Sequence, residues 1–228
     1  MTRKKKLTTI KRVIEKITNQ FMSGEFLMEQ KLIGLLKNRR SIYALGKNVS
    51  ESKEEIVNLV KNAIKESPTA FNNQSVRAIV LFGNASDKAW DLVAERLKSE
   101  VPTEEAYAKT KEKINSFKAG FGTILFFTDQ TIIDDNKAQF TLYADNFQDW
   151  SEQGLGGAQQ SVWVALAENK LGASLQHYNP LIDDAFKEAF NIPEGWVLRA
   201  EMPFGSIEAT REEKVYVDDD KRVIVIED

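Results

Sequence analysis

The sequence predicts a mixed α/β sheet sandwiched by helices, and three features lead to it. Short β-rich runs, Val76 to Phe82 and Trp196 to Met202, stand out from their surroundings. A third run, Phe121 to Thr128, is apolar throughout, the pattern of a strand covered on both faces. Between these runs the apolar residues recur every three to four positions, so strands and helices alternate along the chain.

The elements follow in order. Residues 1–27 are strongly basic (Arg3, Lys4, Lys5, Lys6, Lys11, Arg12), with Leu7, Ile10, Val13, Ile14 and Ile17 at near-helical spacing. They lack the uninterrupted apolar core and small-residue cleavage site of a signal peptide. An amphipathic helix touching anionic lipid is one reading. A non-functional extension upstream of a start at Met28 is the expected one, so the domain is placed at 28–228. Residues 29–38 read as a helix running into Asn38-Arg39-Arg40-Ser41. A second helix over 53–66 carries Ile56, Leu59, Val60, Ala63 and Ile64 and stops at Ser67-Pro68, because proline disfavours helix in the residue before it. The loop 67–74 leads into the strand 76–82, closed by Gly83-Asn84. Helices are expected at 87–99 and 103–117, then the buried strand. A long helical stretch over 147–170 is interrupted at Gly154, Gly156 and Gly157. The remainder reads as strand 173–177, helix 183–190, strand 196–202 and a last strand 222–226. That last strand follows a charged stretch and could return to its own sheet or cross to a partner.

Composition bounds the chemistry. A chain of 228 residues is long enough for one domain with a proper core. Its net charge of −3 gives no pull toward nucleic acid, and no run approaches the roughly 18 apolar residues of a membrane span. There is no cysteine, which excludes disulfides, thiolate catalysis, Cys-ligated zinc and iron–sulfur clusters. His177 is the only histidine, so a histidine-rich metal site is excluded too, and no metal is expected. Redox or hydrolytic chemistry must then come from carboxylates, hydroxyls, lysine or a bound organic cofactor. A cytoplasmic protein without stable membrane association is expected.

Several motifs offer chemistry, each beside a plainer reading. Gly154-Leu155-Gly156-Gly157-Ala158-Gln159 superficially resembles a dinucleotide fingerprint, but it lies within a helical stretch and follows no strand. Close helix–helix packing is the expected explanation. Arg39-Arg40-Ser41 offers two guanidiniums and a hydroxyl at a helix end, a compact site for phosphate oxygens, though an Arg-Arg pair is more often a solvated surface. The loop Ser67-Pro68-Thr69-Ala70-Phe71-Asn72-Asn73-Gln74 could satisfy the edge of a heteroaromatic ring or simply cap a strand. Tyr143 to Glu152, rich in aromatics and carboxylates, suits a ligand wall, a dimer interface, or a core-facing helix start capped by Ser or Asp. Leu175-Gln176-His177-Tyr178-Asn179-Pro180 closes a strand, where ligand groups often gather.

Taken in order, these segments resemble one family. Arg39 to Leu45, Ser67 to Gln74, Ala119 to Phe127, Tyr143 to Phe147, Ala173 to Pro180 and Met202 to Gly205 together look like the nitroreductase family. The branch is that of the fatty-acid-repression-mutant-type proteins of fungi and the copper-induced nitroreductases of lactic-acid bacteria. The resemblance implies a three-layer α/β/α fold of the α+β class. It further implies a homodimer with a swapped C-terminal extension, and FMN bound at the dimer interface. Arg39, Arg40 and Ser41 would hold the FMN phosphate and ribityl chain. Ser67, Pro68, Thr69 and Asn72 of the other subunit would contact the isoalloxazine ring. Leu175, Gln176 and His177 would lie along the ring near N5. Lys214, with Arg211, would match the family's C-terminal basic residue that also reaches the phosphate. Departures are Gln176-His177, where many relatives have Glu-Gly, and Thr69, where many have serine. The implied activity is two-step reduction of nitroaromatics or quinones by NADH or NADPH through flavin N5, without a catalytic side chain. An FMN-binding regulatory or stress-sensing flavoprotein is the alternative.

Overall fold

A computed structural model describes residues 31–209 and 213–227. The chain divides into two units, residues 1–36 and 37–228. The basic segment 1–27 lies outside the described residues, and α1 (Lys31–Asn38) crosses the division between the units.

In the second unit the sheet is built around one long strand, β5 (Trp196–Ile207). On one side it pairs antiparallel with β3 (Gly122–Asp129), which pairs in turn with β2 (Val76–Phe82), in register from Val76 opposite Thr128 to Phe82 opposite Gly122. On its other side β5 carries two short strands, β4 (Gly172–Ala173) and β1 (Leu45–Gly46). All these ladders are antiparallel. Among the described residues the expected mixed character rests on a single parallel bridge, Ser41 to Ala173.

Every residue of β3 is buried, as its unbroken apolar run requires. Ile124 and Phe126 point to one side, into a core shared with α2 (Lys53–Lys65) and α6 (Phe147–Glu168). Leu125 and Phe127 point to the other, against α3 (Asn84–Leu97), α4 (Glu104–Lys118) and α7 (Asp183–Phe190). The result is three layers, helix on sheet on helix. Burying each such Phe or Leu stabilises the fold by about 1.5–3 kcal/mol, so β3 anchors both cores at once.

Local sequence sets the boundaries. The Ser52 hydroxyl accepts from Glu55 N while the Glu55 carboxylate accepts from Ser52 N, a reciprocal cap that starts α2 and holds Glu55 below the usual carboxylate range. Gly83, at φ +54°, makes the turn that lets α3 begin at Asn84, three residues before its expected start. A helix not expected from the sequence, α5 (Gln130–Gln139), has only Ile133 buried, too narrow an apolar stripe to register as a period.

Four expectations need correction. The long helix α6 runs from Phe147 to Glu168 without interruption, and its glycines stay within it. The strand expected over 173–177 forms a ladder only at Gly172–Ala173, with one isolated bridge from Gln176 to Glu201. Neither a serine nor an aspartate caps α6, whose N-cap Asn146 makes no side-chain capping bond. Residues 222–226 are not a strand and make no ladder with any described strand, and Val223, Ile224, Val225 and Ile226 are largely exposed. Among the described residues no helix is long and apolar enough to cross a membrane.

Candidate active site

The Arg39-Arg40-Ser41 triplet is fastened where α6, β4 and the chain after α1 meet. The Ala173 carbonyl accepts from Ile42 N at 2.9 Å and from Trp163 Nε1 at 3.2 Å. Over that same indole, 4.4 Å from its centroid, lies the Arg39 guanidinium. Burial, and then the neighbouring Arg40, lower the Arg39 pKa, meaning that its charge is dehydrated and repelled at once. An anion between the two arginines would relieve both effects, and a phosphate matches the paired guanidinium donors. The residues present therefore fit a phosphate-bearing cofactor.

The loop after α2 is held in a strained shape. Phe71, Asn72 and Gln74 have φ of 54°, 51° and 50°. Asparagine tolerates this region, but for Phe71 and Gln74 it costs roughly 1–2 kcal/mol each. Hydrogen bonds impose the shape. The Thr69 hydroxyl accepts from Gln74 N at 2.9 Å, Asn73 Oδ1 accepts from Ser75 N at 3.1 Å, and Asn73 Nδ2 donates to the Ser151 hydroxyl at 3.2 Å. The Ser67 hydroxyl lies 2.7 Å from the Ala63 carbonyl and 3.0 Å from the Ser161 hydroxyl on α6. A strained loop over-determined by its neighbours is the kind of segment that presents ligand groups.

Gly154 allows the loop to sit so close. A Cβ there would lie 3.2 Å from Thr69 Cγ2 and 3.5 Å from the Pro68 carbonyl, whereas Cβ atoms at Gly156 and Gly157 would meet nothing. The glycine run thus serves loop-on-helix contact at one position, instead of the helix–helix packing expected of it. Beside it a cavity of about 460 Å³ is lined by Pro68, Thr69, Phe71, Trp150, Gly154 and Gly157. Phe71 stacks on Trp150 at 6.0 Å and also meets Phe140, Tyr143 and Phe147, yet stays 53% exposed. Of the segment 143–152, Phe147 belongs to the core while Tyr143 remains exposed beside this cavity.

The strand end is secured from below. Gln176 exchanges both backbone hydrogen bonds with Glu201 of β5, and its buried side chain donates to the Ser174 hydroxyl at 3.1 Å. Leu175 packs against the α2–α6 core. His177 is exposed, with Nδ1 2.9 Å from the Arg199 carbonyl.

One helix therefore organises the candidate residues. Phe71, Thr69 and Ser67 meet α6 at Trp150, Gly154 and Ser161, while Arg39 meets it at Trp163. Nine residues separate Gly154 from Trp163, about two and a half turns, so the loop and the arginine pair lie on opposite flanks of the helix. Lys214 is exposed, its Nζ 5.0 Å from the Tyr216 ring, and Arg211 lies outside the described residues. Trp163 and Glu201 escaped the sequence reading. Trp163 gave no signal, but Glu201 gave one: an acid between Ala200 and Met202 in an otherwise apolar strand.

Comparison with known proteins identifies the family. Residues 36–206 match the model of the Nitroreductase family. The Saccharomyces cerevisiae protein HBN1 is 36% identical over 190 residues, covering 82% of this chain and 94% of that protein. Nitroreductase FRM2 of the same yeast is 31% identical over 188 residues, covering 81% and 92%. Nitroreductase CinD from Lactococcus lactis, solved in complex with nicotinic acid, superposes with a TM-score of 0.80 at 51% identity, covering 86% of this chain and all of that one. The same enzyme has been solved in complex with 4-nitrophenol. The chain belongs to the nitroreductase family of NAD(P)H-dependent oxidoreductases.

Proposed function

We propose that this oxidoreductase works as a homodimer carrying FMN between its subunits, accepting electrons from NAD(P)H and passing them to nitroaromatics or quinones. Members of the family bind FMN and use NAD(P)H, and CinD, half identical to this chain, binds 4-nitrophenol. When bound, FMN supplies the two-electron chemistry that links donor to acceptor. Arg39, Arg40 and Ser41 hold the phosphate and ribityl chain; the charge stress on Arg39 supports this assignment. Ser67, Pro68, Thr69 and Asn72 present backbone and side-chain polar groups to the ring, and Leu175, Gln176 and His177 border it. Lys214 and Arg211 approach the phosphate from the C-terminal segment.

The observation that carries the dimer is the placement of arginines and loop on opposite flanks of α6. A single ligand that touches both needs the loop of a second copy. Two further features fit. Among the described strands β2 has a partner on one side only, and a groove of about 530 Å³ runs beside it, lined by Val57, Val60, Ser67, Val76 and Ala78 among others. The apolar tail 223–226, which joins no described strand, has the composition to add to a partner's open edge.

Subunit complementation tests this reading. Arg39→Ala and Thr69→Trp subunits each bind FMN poorly alone. Refolded together, mixed dimers contain one site built from an intact arginine pair and an intact loop, so FMN binding returns at up to half of the wild-type stoichiometry. No recovery in mixed dimers would mean that both parts act within one chain.

A further inference from the structure

Glu201 stands in the middle of β5, 1% exposed, with Leu125 opposite it on β3 and Gln176 opposite it on the strand end. Its Oε2 accepts from Tyr178 N at 3.1 Å, so the carboxyl reaches along the segment it backs. Its Oε1 is buried and has no hydrogen-bond partner, and the same is true of Asn179 Oδ1 and Asp183 Oδ1 in the turn that follows. All three are acceptor oxygens as placed, and a proton on one carboxyl turns an acceptor into a donor. Among the described residues no cation is paired with this acid. Arg199, two residues earlier on β5, is committed to the Glu152 carboxylate at 2.8 Å and the Thr128 hydroxyl at 3.2 Å. The other groups around this corner are the Tyr178 phenol, Asp183 and Asp184 at the start of α7, and His177 on the far side of the strand end. From α3 comes the Trp90 ring, edge-on to Tyr178 at 6.2 Å.

We propose that Glu201 is a positioning residue held as the neutral acid, donating from Oε1 into the Asn179–Asp183 turn while Oε2 holds Tyr178 N–H. One side chain then ties β5, the strand end 174–178 and the start of α7 into a unit. The proposal rests on the flavin reading, because 175–177 is the stretch assigned to the ring edge. Burial first, and then Asp183, push the Glu201 acid from its ordinary value near 4.5 up to about 8, against the opposing pull of the Tyr178 N–H. Burial and Glu201 push Tyr178 to about 12, which keeps the phenol out of the same range. A folded value above the unfolded one means stability that is full below about 4.5 and lost as pH rises through about 8. Above that, an anion faces Asp183 and the turn loses its donor.

The test uses the purified FMN-loaded protein and Glu201→Gln, which keeps a donor and an acceptor but cannot titrate. FMN affinity and thermal stability are followed from pH 5 to 9, with infrared spectra of protein carrying carboxyl-labelled glutamate. The wild type shows a protonated-carboxyl band at pH 7 that falls to about half near pH 8. Its FMN Kd rises about tenfold by pH 9, where roughly a tenth of the molecules remain neutral, and its stability falls across the same range, while Glu201→Gln stays level in both. Absence of the acid band at pH 7, or identical pH profiles in the two proteins, overturns the proposal. The band is decisive even if the variant does not fold. Failure of the wild type to take up FMN at any pH refutes the flavin reading and removes the ring-edge role with it, and the infrared result, which needs no flavin, tells that failure apart.

Discussion

Replacing Arg39 with alanine separates ligand binding from folding. In the folded chain the guanidinium rests on Trp163 at 4.4 Å, a contact between a cation and an aromatic face worth about 0.5–1 kcal/mol at a partly exposed position. Against that stand its dehydration and its repulsion by Arg40, the two causes that lower its pKa. These effects oppose each other, so the flavin-free protein should change in stability by no more than about 0.5 kcal/mol. The bound phosphate feels no such cancellation. Losing charge-assisted hydrogen bonds to it costs about 1.5–3 kcal/mol, and at 1.4 kcal/mol per tenfold that is a rise in FMN Kd of roughly 10- to 150-fold. Arg39→Lys keeps the charge but loses the planar stack and the paired donors, and should fall between. The assay is fluorescence quenching of FMN on titration with flavin-free protein, paired with urea unfolding of the same samples. An FMN affinity within twofold of wild type would refute the phosphate assignment. An affinity lost in step with the unfolding midpoint would show Arg39 to be structural.

Three further predictions follow from the packing. Thr123 is buried, and its hydroxyl accepts from Trp90 Nε1 at 2.8 Å and lies 2.8 Å from the Ser86 hydroxyl. Thr123→Val strands the indole N–H and should cost about 2 kcal/mol in urea unfolding; an unchanged midpoint would contradict the network. A Cβ at Gly205 would stand 2.2 Å from the Gly46 carbonyl and 2.9 Å from Phe121 N, both backbone atoms. Gly205→Ala should therefore separate β1 from β5 and cost roughly 3 kcal/mol or more, and a stability equal to wild type would show that the strands can part freely. Deleting residues 213–227, which leave seven large apolar side chains exposed and form no ladder with a described strand, should lower both dimer stability and FMN retention. Sedimentation with flavin quantitation checks this, and an intact, fully loaded dimer would assign the tail no part in the interface.

The sequence was most informative where burial dictates composition. A run such as Thr123-Ile124-Leu125-Phe126-Phe127 can only be a strand covered on both faces, and it is. The stop of α2 before Pro68 was equally legible, since the restriction is local. Glycine within α6 misled, because sequence does not reveal whether a glycine faces a neighbour or open space. Gly154 meets a loop, Gly156 and Gly157 meet nothing, and helix propensity alone suggests a break. Residues 222–226 look like a strand because the β-branched residues Val223 to Ile226 follow one another, but a strand also needs a partner, and no described strand pairs with them. At the site, Arg39-Arg40-Ser41 was visible as a charge cluster. Its seat on Trp163, 124 positions later in the chain, was not, because contact between remote segments leaves no mark in local pattern.

The most direct test of the central claim is an anaerobic absorbance experiment on FMN-loaded protein, adding NADH and then a nitroaromatic. The account predicts that the flavin bands bleach with NADH and return in full with the nitro compound, in two separable steps. Bound flavin that NADH leaves unbleached would contradict the enzymatic reading and favour a flavoprotein with little turnover, and protein that takes up no FMN would contradict the flavin site itself.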